Sequence, residues 1–226
     1  MRLTMSCPPF RDTYTALARA ISKELLASLP IRRYEGPVCL VSTQEDLDTA
    51  GEDIRNEDVI GFDTETRPAF AKGEFHLPCL VQVATARRVY LFRFRGIEVK
   101  PLLTAMLEGV GTIKVGVSVA DDVRALRQVF DFEPNSMLDL GRVAKRHGFK
   151  QSGVRNLAGI FLACRIPKGA QTSNWAASHL TPQQITYAAT DAWICRELYL
   201  KFKSLGVTPM EAEATDADRP RRIPAA

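Results

Sequence analysis

Two acidic residues follow an apolar run in the first half of the chain. Asp63 and Glu65 come directly after residues 59–62, which are apolar and rich in β-branched and aromatic side chains. Such a run is typical of a buried strand, and alternate strand residues share one face, so both carboxylates are expected to point the same way. Buried carboxylates repel one another unless a cation is present, and hard divalent ions prefer oxygen ligands. The spacing indicates a possible metal site, although an Asp-x-Glu triplet alone is more often a solvated loop.

Two later segments carry acids that could join this pair. Residues 115–122 are typical of a strand and a short loop that lead into a helix, and they end in Asp121 and Asp122. Tyr187 and Asp191 are four positions apart in a predicted helix, so the phenol and the carboxylate share one helix face. Aspartates at helix starts often serve as caps, and a helical tyrosine is usually core packing. Each segment by itself is therefore weak evidence for a metal site, and the prediction depends on the acids of all the segments lying together.

The sequence marks the start of this last helix clearly. Thr181 is predicted to be the N-cap, Pro182 occupies the first helical position and Gln184 occupies the capping-box position. The helix is expected to end near residue 205. The small side chains near Asp191 leave room for a strand or helix to approach closely. They belong to Ala188, Ala189 and Ala192.

Alternating strand and helix patterns surround these residues. The short polar connection at 86–88 predicts an antiparallel hairpin, and the strand, helix, strand order that follows predicts parallel pairing. The fold class is therefore α/β, with a mixed five-stranded sheet flanked by helices. A further short strand is predicted at 38–41, before the sheet. The five sheet strands are expected at 59–65, 80–85, 89–92, 113–117 and 137–140.

Three regions are predicted along the chain. Residues 1–35 form an N-terminal helical extension, because apolar residues recur at helical spacing from Tyr14 until Pro30. This helix is expected to serve packing and to lie outside the chemistry. Residues 36–206 form the main domain. Residues 207–226 are rich in Ala, Glu, Asp, Pro and Arg, which favours a flexible tail.

Composition narrows the possible classes of protein. The 226 residues are 46% hydrophobic and 25% charged, which is ordinary for one globular domain with extensions. The apolar runs are shorter than a membrane span, and charged residues interrupt any signal-like stretch near the N-terminus. The five cysteines are scattered without a Cys-x-x-Cys pair, so neither a disulfide framework nor a zinc site is indicated. A cytoplasmic protein without a membrane partner is expected.

The net charge of +4 is too small to establish a nucleic-acid partner. If several acids were sequestered around metal ions, however, the remaining surface would be more basic than the total suggests. Candidates for phosphate contacts are Arg87, Arg88, Arg93, Arg95, Lys145, Arg146 and Lys150.

Together the acidic segments resemble the DEDD superfamily of 3′-to-5′ exonucleases, and in particular its tyrosine-containing branch, which includes ribonuclease D and the Werner-syndrome exonuclease domain. Residues 62–65 resemble the first motif, 114–126 the second and 187–192 the third. The similarity covers roughly residues 36–205, and three motifs in order are far more specific than any one. The histidine branch would need His where this chain has Thr186.

The resemblance implies a ribonuclease H-like fold and a divalent-metal-dependent 3′-5′ exonuclease. Such an enzyme would hydrolyse phosphodiester bonds of DNA or RNA at a single-stranded or 3′ end and release nucleoside monophosphates. Two Mg²⁺ or Mn²⁺ ions are implied, and Tyr187 would orient the attacking water. Asp63 would bridge the ions. The implied metal ligands are Asp63, Glu65, Asp122 and Asp191.

Two alternatives stay open at this stage. Asp121 could replace Asp122 as the ligand of the second motif, although the Gly-to-Asp spacing favours Asp122. The chain could also be an inactive nucleic-acid- or protein-binding module on the same fold, but the intact acids weigh against this. Residues 173–175 resemble a segment near the substrate channel of the family, and a buried tryptophan is the simpler interpretation of Trp175.

Overall fold

A six-stranded sheet forms the centre of the computed structural model, which describes residues 17–69, 71 and 73–207. The strands are β1 Val38–Val41, β2 Val59–Thr66, β3 Pro78–Ala84, β4 Val89–Arg93, β5 Ile113–Gly116 and β6 Met137–Asp139. The helices are α1 Lys23–Ser28, α2 Gln44–Arg55, α3 Lys100–Glu108, α4 Val119–Leu126, α5 Leu140–Arg146, α6 Val154–Leu162 and α7 Pro182–Ser204. Among these helices, none is both long and apolar enough to cross a membrane.

The sheet is mixed, with the strand order β1-β4-β3-β2-β5-β6. Strand β3 is antiparallel to both of its neighbours, and the other pairs are parallel. The predicted α/β class with flanking helices is confirmed, whereas the predicted number of five strands was wrong. The sixth strand is β1, which pairs in parallel with β4 at the sheet edge. Short apolar runs do not reveal which distant strand they will join, so the sequence did not place β1 in the sheet.

Helix α7 lies directly against β2 on one face of the sheet. The predicted N-terminus is confirmed, since Thr181 and Gln184 form a reciprocal capping box and Pro182 begins the helix. Close contact is possible because Gly61 has no side chain. A Cβ there would lie 1.9 Å from the carbonyl oxygen of Ala192. The small side chains near Asp191 therefore do permit the close approach that the sequence predicted.

Two apolar clusters pack the opposite sides of β2. Ile60 and Phe62 point into a core shared with α2, α3 and α4. Val59 contributes to a second core, built largely from α5, α6 and α7. Because side chains alternate along the strand, the odd-numbered residues of β2 face α7. This alternation carries Asp63 and Glu65 to the same side as the last helix.

The N-terminal segment differs from the predicted packing helix. Tyr14 lies outside the described residues, and α1 begins only at Lys23, with Ser22 as its N-cap. Ile21 stays outside the helix because both of its backbone groups bond to one side chain. Its N–H donates to Gln151 Oε1 at 2.9 Å, and Gln151 Nε2 donates to its carbonyl at 3.1 Å. The helical spacing before residue 22 was therefore misleading.

Candidate active site

Strand β2 places the first two acids at its C-terminal end. Asp63 is half-buried and Glu65 is 8% exposed. Asp63 still pairs with Gln82 of β3, whereas the register shifts between Glu65 and Thr66. Regular pairing with β3 therefore ends just after Glu65, and both carboxylates border a cavity.

Helix α7 supplies a third acid and a phenol. The close contact at Gly61 brings Asp191 over β2, and one oxygen each from Asp63, Glu65 and Asp191 lies within 4.8 Å of the others. Asp191 is buried and accepts a hydrogen bond from the Tyr187 hydroxyl. Tyr187 and Asp191 therefore lie on one face of α7, as the sequence predicted, and this face is turned toward β2.

Asp122 lies beside this group without belonging to the three converging acids. It occupies the first turn of α4, on the other side of β2 from α7. Its Oδ1 accepts a hydrogen bond of 2.5 Å from the Thr64 hydroxyl. Its charge reaches Asp63, because it contributes to the raised pKa of that residue. The structure therefore brings three predicted acids together and holds the fourth next to them.

The neighbouring Asp121 points elsewhere. Its side chain is 74% exposed, and its Oδ1 lies 2.7 Å from Arg124 Nη1, one turn along α4. Asp121 therefore interacts with its own helix and with solvent. Asp122 is the member of the pair that faces β2.

Burial and crowding make these acids hard to ionise. Burial raises the pKa of Glu65 to about 9, and the charges of Asp191 and Asp122 add to this effect. Burial likewise raises the pKa values of Asp122 and Asp191 to about 6 each, and raises the pKa of Asp63 above its ordinary value. Opposite charge would reverse these shifts. The site is therefore built to favour a bound cation.

The acids lie in a cavity of about 570 Å³ whose lining carries both signs of charge. The three converging ligand atoms are carboxylate oxygens, which suit a hard divalent cation. Basic side chains line the same cavity, and one of them, Arg155, partly opposes the rise that burial causes in the pKa values of Asp191 and Tyr187. Lys23 of α1 also lines it, so the helix that was expected to serve packing borders the cavity.

Some neighbours of the acids were not singled out from the sequence. Thr64 lies between two acids in a strand, and alternation alone could have assigned it to the side of α4. Gln82 is fully buried opposite Asp63 in the register, and its signal was a polar residue in an apolar strand. Arg155 carried no local signal, because only the position of α6 brings it to the cavity.

The segment before α7 supports the tyrosine. Trp175 is fully buried, with its ring centroid 6.0 Å from that of Tyr187, so the simpler interpretation of this tryptophan is confirmed. Gln184 Nε2 donates to Ser173 Oγ at 3.0 Å and to the Asn174 carbonyl at 3.2 Å. Gln184 thereby holds residues 173–174 against α7, the helix that carries Tyr187.

Comparisons with known proteins agree with this geometry. The family model described as 3′-5′ exonuclease matches residues 38–206. The mouse bifunctional 3′-5′ exonuclease/ATP-dependent helicase WRN is 30% identical over 192 residues, which are 80% of this chain and 14% of that protein. Ribonuclease D of Gluconacetobacter diazotrophicus is 31% identical over 165 residues, 71% of this chain and 41% of that protein. The chain thus spans less than half the length of either relative.

Solved structures give the same fold. The structure of Trypanosoma brucei RNase D in complex with RNA U12 superposes with a TM-score of 0.64 at 19% identity, covering 81% of this chain and 66% of that one. The predicted resemblance to ribonuclease D and the Werner-syndrome exonuclease domain is confirmed, as is the ribonuclease H-like fold. With the match extending over three-quarters of its sequence, the chain belongs to the 3′-5′ exonuclease family.

Proposed function

We propose that this chain removes nucleotides from the 3′ end of single-stranded DNA or RNA, releasing nucleoside monophosphates, with the help of two Mg²⁺ or Mn²⁺ ions. The observation that carries the proposal is the convergence of carboxylate oxygens from Asp63, Glu65 and Asp191 within 4.8 Å, with Asp122 alongside. The catalytic unit would comprise residues 36–206. The complex of a relative with RNA supports a nucleic-acid substrate.

The four acids would share the ions unequally. Asp63 would hold the ions together with the other three acids, since burial and the charges of all three raise its pKa. Glu65 and Asp191 would complete the ligands on the side of α7, and Asp122 those on the side of α4. When bound, the pair of ions supplies electrostatic stabilisation to the attacking and leaving oxygens of the phosphodiester. Thr64 would hold the Asp122 carboxylate in place through its 2.5 Å hydrogen bond.

Tyr187 would orient the attacking water rather than remove its proton. Burial raises the pKa of Tyr187 above its ordinary value of about 10, so the hydroxyl stays protonated at neutral pH. A protonated phenol can still fix a water by hydrogen bonding. Its packing against Trp175 and its bond to Asp191 restrict where that hydroxyl can lie.

The test is nucleotide release from 5′-labelled single-stranded DNA and RNA. With Mg²⁺ or Mn²⁺, the wild-type protein should shorten at least one of these substrates from the 3′ end. Removing the metal ions with a chelator should stop the reaction. Asp63→Ala should abolish release while circular dichroism shows an intact fold. Undiminished turnover in this variant would overturn the assignment. A wild-type protein that binds nucleic acid without shortening it would instead favour the inactive binding module.

A further inference from the structure

The segment before the matched domain is attached firmly to it. Two backbone hydrogen bonds join this segment to Arg165, which lies just after α6. The Arg165 N–H donates to the Pro30 carbonyl at 3.0 Å, and the Arg32 N–H donates to the Arg165 carbonyl at 2.9 Å. Farther along, the Tyr34 N–H donates to Thr190 Oγ1 of α7 at 3.0 Å. Together with the two bonds to Gln151, these contacts hold residues 21–34 against α6 and α7.

Helix α1 lies close to α6 because Gly159 has no side chain. A Cβ at this position would lie 2.7 Å from Leu26 Cδ1 and 2.9 Å from Ile21 Cδ1. Contacts as short as these would push the leucine and isoleucine away. The absence of a side chain at residue 159 therefore sets the position of α1.

That position makes α1 one wall of the active-site cavity. Lys23 and Leu26 are three residues apart, on one helix face, and both line the cavity that contains Asp63, Glu65 and Asp191. Leu26 thus contacts α6 through Gly159 and also borders the cavity. Residues 17–37 precede the region matched by the family model, so this wall lies outside the matched residues 38–206.

The cavity carries cations as well as acids. Lys23, Arg155 and Lys168 all line it, and none of the three forms an ion pair within the part of the chain that the structure describes. Lys23 and Lys168 are exposed, whereas Arg155 is half-buried. Acids that could hold divalent ions, together with cations that form no direct ion pair, suit a ligand with several phosphates. One phosphate would lie at the acids and the next ones would meet the lysines.

We propose that Lys23 of α1, with Lys168 and Arg155, binds the phosphates on the 5′ side of the scissile bond, so that the N-terminal segment forms part of the substrate-binding surface. The proposal rests on the proposed exonuclease function, because a 3′ end at the acids leaves the rest of the strand on its 5′ side. Leu26 closes the same wall with an apolar surface for the sugar or base.

The experiment compares two substrates in the full chain. One is a 5′-labelled single-stranded oligonucleotide, and the other is the p-nitrophenyl ester of thymidine 5′-monophosphate, which has one phosphodiester and no strand to hold. Lys23→Ala should raise KM for the oligonucleotide about two- to fivefold. It should also lower the slope of log affinity against log salt by about 0.7, the value for one lost contact to a single-stranded phosphate. Lys23→Arg should restore the affinity, and Lys23→Glu should weaken it further.

The exposed Lys203 of α7, which does not line the cavity, provides the matched control. If Lys23→Ala behaves like Lys203→Ala on the oligonucleotide, the proposal is wrong. If the wild type cleaves neither substrate, the proposed exonuclease function is wrong. This result differs from failure of the Lys23 proposal alone, in which the wild type still cleaves the oligonucleotide.

A second variant tests the wall independently of charge. Gly159→Leu should displace α1 and reduce oligonucleotide affinity as Lys23→Ala does, and the double variant should be no weaker than Gly159→Leu alone. Fully additive losses would show that Lys23 acts without the docked helix, contrary to the proposal. Circular dichroism would confirm that the sheet and α7 are intact.

Discussion

Replacing Glu65 with Gln should stabilise the metal-free protein at neutral pH. The side chain is 8% exposed, and burial together with the charges of Asp191 and Asp122 raises its pKa from 4.5 to about 9. Glutamine has nearly the same shape and no proton to lose. The substitution removes the ionisable group while keeping the packing of β2.

The sign and size of the effect follow from linkage. Because the folded state has the higher pKa at Glu65, the unfolded chain loses its proton first as the pH rises. Stability is therefore full below about pH 4.5 and falls between that pH and about 9. At about 1.4 kcal/mol per pH unit, the wild type loses about 3 kcal/mol by pH 7, whereas Glu65→Gln loses none from this position. Such a difference corresponds to a shift in Tm of roughly 6–12 °C.

The assay is urea unfolding in EDTA at pH 5 and pH 7.5, followed by tryptophan fluorescence. We expect the stability advantage of Glu65→Gln to be small at the lower pH and to grow at the higher one. Saturating Mg²⁺ or Mn²⁺ should narrow the gap, since at 100 times Kd a bound ligand adds about 2.7 kcal/mol to the wild type. Glu52→Gln, at an exposed position of α2, is the control. Equal pH dependence of Glu65→Gln and wild type would refute the reasoning.

Four further substitutions, one of them a control, test the site and its support. Asp122→Asn should lower kcat at least a hundredfold, whereas Asp121→Asn should stay within about twofold, because only Asp122 faces β2. Single-turnover rates on a labelled oligonucleotide would check both, and equal losses would show that the second acid was misassigned. Tyr187→Phe should lower kcat about a hundredfold, the cost of a misplaced water, with little change in metal affinity by calorimetry. Turnover at the wild-type rate would exclude the orienting role. Gly61→Ala should destabilise the protein by about 1–3 kcal/mol or more in urea unfolding, because the added Cβ meets the Ala192 carbonyl, and wild-type stability would contradict the close contact.

Local patterns in the sequence were sufficient for the elements that carry the acids. Alternation along β2 predicted that Asp63 and Glu65 share a face, and the capping residues of α7 predicted where that helix begins. Both signals arise within a few residues, so no distant partner is needed to read them. The helical spacing from Tyr187 to Asp191 is equally local.

Features that depend on distant contacts could not be predicted in this way. The choice between Asp121 and Asp122 is visible only when Thr64 of another element donates to one of them. The late start of α1, at Lys23, depends on Gln151, whose side chain bonds both backbone groups of Ile21. Strand β1 joins β4 rather than the strand that follows it in sequence. Each of these outcomes depends on complementarity between remote segments.

The position of Asp191 in the last described helix also affects when the site can form during synthesis. Asp63 and Glu65 leave the ribosome long before α7, and the sheet can assemble from strands that all precede this helix. A nascent chain that still lacks α7 therefore has two of the converging acids, no Tyr187 and an uncovered row of β2 side chains. The proposed nuclease site would therefore be complete only after α7 has emerged and docked.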